Sequence, residues 1–96
     1  MMEKDFSLLS INFDDYAEKI KALAHPTRLK IVAGLSMKNE CNVTKMAECL
    51  NIPQPTVSQH LNILKNAGII EGFRHGNQIC YKVVDDFARQ AVSLLK

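Results

Sequence analysis

Apolar residues recur at helical spacing early in the chain. Phe13, Tyr16, Ala17, Ile20, Leu23 and Ala24 follow the i, i+3, i+4, i+7 rule, which turns one side of a helix toward a core. His25-Pro26 ends that helix, and Pro26 suits the first turn of a second, where a missing N–H costs nothing. Leu29, Val32, Ala33 and Leu35 give the second helix its apolar face up to about Ser36. Met37 to Asn42 reads as polar and irregular. Val43, Met46, Ala47 and Leu50 then return to helical spacing in a short third helix, with Asn42 or Thr44 as its N-cap.

Leu50-Asn51-Ile52-Pro53 reads as a tight turn that ends the third helix. Asn tolerates the left-handed conformation and Pro53 cannot continue a helix. A fourth helix over Gln54 to Ala67 should bury Val57, Leu61 and Leu64, with Gly68 capping its end and Ile69 making the hydrophobic contact just beyond. From Ile69 to Val84 the period drops to about two. Ile79, Tyr81 and Val83 alternate with Cys80, Lys82 and Val84, and His75-Gly76-Asn77 supplies hairpin turn residues. Asp85 or Asp86 opens a last helix whose stripe is Ala88, Ala91, Val92 and Leu95. The pattern predicts a mainly α domain with a small β-hairpin, spanning 1–96, with an acidic tail over 1–12.

Two short helices joined by a tight turn, over 43–67, form a helix-turn-helix, and the hairpin over 69–84 that follows makes it winged. An α-helix fits the major groove, and the side chains of its first turns reach base edges. In Pro53-Gln54-Pro55-Thr56-Val57-Ser58-Gln59-His60 the outward candidates are Gln54, Thr56, Ser58 and Gln59, flanked by Pro55 and His60. Gln is an amide suited to adenine, and Ser or Thr serves either a base or a phosphate. The amides of Gln54 and Thr56 are further candidates for a phosphate oxygen, helped by the helix dipole. At the hairpin tip, Arg74 suits a phosphate or the minor groove, and His75 suits a phosphate when protonated.

Composition narrows the function classes. With 96 residues and 47% hydrophobic content the chain can build one modest core but not a deep substrate cleft as well. Apolar helices at both ends suggest a core completed by dimerisation, through 13–24 and 86–95. The net charge of +2 is uneven: residues 1–18 carry −4, leaving +6 on the rest, the sign expected of a body that meets phosphates. No stretch has the apolar length of a membrane span and no secretory leader follows Met1, so a cytoplasmic protein without a membrane partner is expected. The chain shows no Gly-rich phosphate loop, no paired carboxylates and no nucleophile–base pair, which argues against an enzyme and calls for no cofactor. The competing reading is a winged-helix module for protein assembly that never touches DNA. Such a module would ordinarily lose the polar start of the fourth helix, which this chain keeps.

These residues resemble the ArsR/SmtB family of winged helix-turn-helix transcriptional repressors over about 16–90. The resemblance rests on Leu23-Ala24-His25-Pro26-Thr27-Arg28-Leu29, on Gln54-Pro55-Thr56-Val57-Ser58-Gln59-His60-Leu61, on Leu64 through Ile70 and on Gly76 through Tyr81. It implies a homodimer built from the first and last helices, binding double-stranded DNA at an imperfect palindrome and released by an inducer.

The familiar sensor sites of that family are broken in this chain. The thiolate site of its arsenic and cadmium sensors resembles a Cys-x-Cys pair, but Asn42 and Thr44 stand there, with Cys41 one residue early. The last-helix site of its zinc and nickel sensors would follow Asp85 with a His where Phe87 stands, so no metal site is expected. The persulfide-responsive pattern needs a Cys in the second helix and another in the last, and neither helix has one. Three cysteines remain. Cys41 and Cys49, eight residues apart, would lie roughly 12 Å apart along a helix, too far for a bridge. Cys49, beside Leu50, reads as a buried inert thiol. Cys80 reads as partly exposed, sharing a strand face with Lys82, and it and Cys41 are the candidate thiol sensors for an oxidant, reactive sulfur or a soft metal. His25 reads as a helix-start residue and His60 as a hydrogen-bonded one.

Overall fold

A computed structural model describes residues 10–38 and 41–96. Most of the acidic tail expected over 1–12 therefore lies outside the described residues. Helix α1 spans Phe13–Leu23. Its N-cap is Asn12, whose side-chain oxygen accepts from the Asp15 amide at 3.1 Å, and Asp14 and Asp15 place negative charge against the positive end of the helix dipole. Helix α2, Pro26–Lys38, follows after two residues, and the His25 ring stands in for its cap by accepting from the Thr27 amide at 3.0 Å. Ile31, Val32 and Leu35 are its buried side chains, with Leu29 and Ala33 half-buried. Ile31 lay outside the expected stripe. It is buried because α2 is the central helix, contacted by α1, by the last helix, by the fourth helix and by the sheet, so its apolar surface wraps around the axis.

Cys41–Asn42 form a two-residue strand, β1, where an irregular segment was expected. Two residues are too few to display a period, and the partner strand lies about forty residues downstream. Helix α3, Val43–Leu50, starts at Asn42, whose side chain accepts from the Lys45 amide at 2.8 Å. It ends in a Schellman motif. Asn51 takes the left-handed conformation, φ 56° and ψ 46°, and the Ile52 amide reaches back to the Ala47 carbonyl at 3.2 Å. Helix α4, Gln54–Asn66, follows three residues later and buries Val57, Leu61 and Leu64, as the spacing predicts. It ends in the same motif: Gly68 has φ +79°, and the Ile69 amide bonds the Leu64 carbonyl at 3.0 Å while both side chains are fully buried.

Strands β2, Ile70–His75, and β3, Gln78–Val83, pair antiparallel in the register Ile70↔Val83 to His75↔Gln78. The two-residue turn has positive φ at Gly76 and not at Asn77, the pattern of a type II′ hairpin. β1 pairs with the other edge of β3, so the sheet order is β1-β3-β2. Strict alternation fails in β3: Cys80 and Val83 are buried while Ile79 is exposed. Cys80 lies where all three strands meet, opposite Asn42 and Phe73, whereas Ile79 lies toward the hairpin tip.

Helix α5, Asp86–Ser93, is capped by Asp85, which accepts from the Ala88 amide at 2.8 Å. The other Asp85 oxygen is 2.7 Å from the Lys19 ammonium of α1, which also lies 3.2 Å from Asp15. Those carboxylates hold the Lys19 pKa above its usual value. Tyr16 meets Phe87 edge to face, centroids 5.0 Å apart, so the two terminal helices pack together. The helix stops at Ser93, short of the expected Leu95, and Leu94 and Leu95 lie beyond it in solvent.

Candidate nucleic-acid interface

The buried row Val57, Leu61 and Leu64 fixes the rotation of α4, and that rotation decides which side chains face outward. Gln54, Pro55, Ser58 and Gln59 are exposed and Thr56 is half-buried. Asn62, exposed one turn beyond Ser58 and Gln59, continues the row and was not among the expected residues. Its signal was legible as a polar side chain at i+3 and i+4 from two others. Lys45, exposed in the first turn of α3, was also missed.

Two expectations about this helix need correction, and Gln54 has a partner that the sequence did not show. His60 does not share the outward face. It is half-buried, with its Nδ1 3.3 Å from Arg28 Nη1 and its ring 4.6 Å from that of His25. The Thr56 amide is not free for a phosphate, because it donates to the Pro53 carbonyl at 3.0 Å, and Pro55 has no N–H to offer. Gln54 is exposed, yet its Nε2 donates to Thr44 Oγ1 at 3.3 Å and so bridges the two helices of the motif.

Arg74, His75, Asn77 and Gln78 are exposed around the hairpin tip. The wing is tied to the body by the β1–β3 ladder, by Asn42, whose side-chain amide donates to Gln78 Oε1 at 2.7 Å, and by Arg89, which donates to the Val83 carbonyl at 2.7 Å. Lys82 sits 5.4 Å above the Phe73 ring.

The thiols are placed differently from expectation. Cys80 is buried rather than partly exposed, and Cys49 is exposed rather than buried. On α3 the inward face runs through Val43, Met46 and Leu50, and Cys49 stands a 100° step off Leu50. Cys41 is half-buried. Its pKa is raised, first by burial and then by Cys49, against an opposing pull from Lys38 and Lys45. All three are free thiols on one cavity of about 400 Å³ between α3 and the wing. Among the described residues no group of three His, Cys, Asp or Glu side chains is placed to hold a metal ion, and no helix is long and apolar enough to cross a membrane.

Comparison with known proteins agrees with this geometry. The family described as bacterial regulatory protein, arsR family, matches residues 25–71, which run from His25 through the helix-turn-helix into β2. An HTH-type transcriptional regulator of Methanocaldococcus jannaschii is 40% identical over 83 residues, covering 86% of this chain and 93% of that protein. The crystal structure of the transcriptional repressor PagR of Bacillus anthracis superposes with a TM-score of 0.81 at 37% identity, covering 88% of this chain and 95% of that one. A homodimeric winged helix-turn-helix DNA-binding domain from Mycobacterium bovis superposes with a TM-score of 0.77 at 29% identity, covering 86% of this chain and 76% of that one.

Proposed function

Because the chain belongs to the ArsR family of bacterial regulatory proteins, we propose that it is a homodimeric repressor that holds a palindromic operator until an inducer releases it. The observation that carries the reading is α4 itself. Its buried row locks it to the core while Gln54, Ser58, Gln59 and Asn62 stand exposed, a mainly polar row in which Pro55 and the 42% exposed Ile63 are the apolar neighbours. In the major groove such a row meets base edges, and Arg74 with His75 on the wing meets the adjacent backbone. A partner-binding module would instead present an apolar patch there.

The apolar patch lies elsewhere. Phe13, Tyr16 and Ile20 form an exposed stripe on α1, and Leu94, 78% exposed, follows α5, which packs on α1. A second copy laid against these helices covers that stripe and presents two α4 helices to half-sites about one helical turn, ~34 Å, apart. Acting on chromosomal DNA, the protein works in the cytoplasm, without catalysis and without a cofactor.

Selecting duplexes from a random library with the purified chain tests the reading. The expected product is a palindrome protected in both halves and bound by a dimer in sedimentation. Enrichment of no sequence, with a partner protein retained on the α4 face, would favour the assembly module. Lys at Ile20 together with Lys at Leu95 should abolish the dimer; an unchanged dimer refutes the assignment of its surface.

A further inference from the structure

His60 points the wrong way for a DNA contact, and its surroundings give it another task. The ring lies at the junction of three helices. Arg28 reaches from α2 to donate through Nε to the Ala22 carbonyl at the end of α1 and through Nη1 to His60 Nδ1, 3.3 Å away on α4. A guanidinium has donors and no acceptor, so this contact is a hydrogen bond when His60 Nδ1 is the acceptor, which assigns the ring the neutral form with its proton on Nε2. His25, whose own Nδ1 is occupied by the Thr27 amide, closes the other side at a 45° tilt. His60 is flanked in sequence by exposed Gln59 and buried Leu61, so this contact bears directly on the rotation of the outward face.

We infer that Arg28 and His25 act as positioning residues for the recognition helix through a neutral His60, so that protonation of His60 unfastens the helix and weakens operator binding. The inference rests on the DNA-binding reading above. Protonated, Nδ1 would turn an N–H toward an N–H beside a fixed positive charge, and the contact is lost. The groups facing the ring offer no relief. From α1, Asp15 and Glu18 share a cleft with Arg28, but they are engaged by Lys19 and Lys21. On α3, Lys45 and Glu48 are exposed, as are Glu71 and Arg74 on β2 and Lys65 further along α4. None of these moves the His60 pKa, which burial, His25 and Arg28 together lower.

The test uses the full chain and the duplex it selects from a random library at pH 7.5. Affinity is measured at pH 7.5 and 5.5 at constant salt for the wild type and for His60→Gln, whose side-chain oxygen can still accept from Arg28 without titrating. A ring that must be neutral in the complex but protonates when free lowers affinity by up to about tenfold per pH unit below its free pKa. The wild type should therefore lose measurably more affinity than His60→Gln over that interval. Equal losses in the two proteins overturn the inference, since a merely structural role for His60 would shift affinity alike at both pH values. A DNA-free measurement keeps the two readings apart. In an NMR titration, the Arg28 Nε–H signal and the α4 amides should move with the midpoint of the His60 ring. If the ring titrates while those signals stay still, the inference fails. If no duplex is selected, the proposed function fails and the NMR titration alone decides the role of His60.

Discussion

The turn between α3 and α4 depends on one residue in a conformation most residues avoid. Asn51 stands at φ 56° with its side chain exposed, so substitution there changes backbone preference without opening a cavity. For L-residues the left-handed region costs roughly 1–2 kcal/mol, and Asn escapes part of that. Asn51→Ala should therefore destabilise the domain by about 1 kcal/mol and Asn51→Val by more, whereas Asn51→Gly should be neutral or slightly stabilising. For a domain of this size 1 kcal/mol lowers Tm by about 4–8 °C. Thermal and urea unfolding, at fixed protein concentration because dimerisation couples to stability, should give the order Gly, Asn, Ala, Val. The same order should hold in DNA affinity, because the turn sets the angle between α3 and α4. If Asn51→Ala melts with the wild type, or Asn51→Gly melts well below it, the left-handed conformation is not what Asn51 provides.

Gln59→Ala should relax preference at one position of each half-site by about 1–3 kcal/mol, while Arg74→Ala should weaken all sequences alike and reduce the salt slope by about one charge per protomer; binding to selected and scrambled duplexes across salt concentrations reads both effects. Alkylation followed by mass spectrometry should label Cys49 first, Cys41 more slowly because burial raises its thiol pKa, and Cys80, the most buried of the three, slowest. Asp85→Ala removes the α5 cap at about 1 kcal/mol plus the Lys19 pair, whereas Asp85→Asn keeps the cap and loses only the pair; equal unfolding free energies for the two variants would show that the cap contributes nothing. With the His60 pKa lowered in the folded state, the unfolded chain binds more protons as pH falls below about 6.5. Stability should therefore decline from there down to the lowered value, and His60→Gln should remove that part of the decline in urea titrations at pH 7.5 and 5.5.

Long periodic segments were legible in the sequence because burial on one face leaves a repeat: Val57, Leu61 and Leu64 sit inside, and Asn51 and Gly68 sit where their tolerance for positive φ is used. What was not legible depends on partners far away in the chain. β1 exists because Tyr81 and Cys80 lie beside it, and no window around Cys41 contains them. Cys80 is buried by that same third strand. His60 reads as a hydrogen-bonded residue beside the outward candidates, but its partner Arg28 stands thirty-two residues earlier, outside any window around it. The reading of the hairpin went wrong at Ile79 for a related reason, since alternation reports a buried face only where a body lies beneath it.

The short β1 strand has a consequence for how tightly two weak contacts can act. Because it shares β3 with the wing and runs directly into the N-cap of α3, the start of the helix-turn-helix and the wing are carried on one hydrogen-bonded ladder, closed again by Asn42 and Gln78. A wing tethered only by its own hairpin would search for its phosphate independently and surrender that freedom on docking. Here, once α4 is seated in the groove, the wing meets the neighbouring backbone at a high effective concentration, and the two contacts behave as one bivalent ligand.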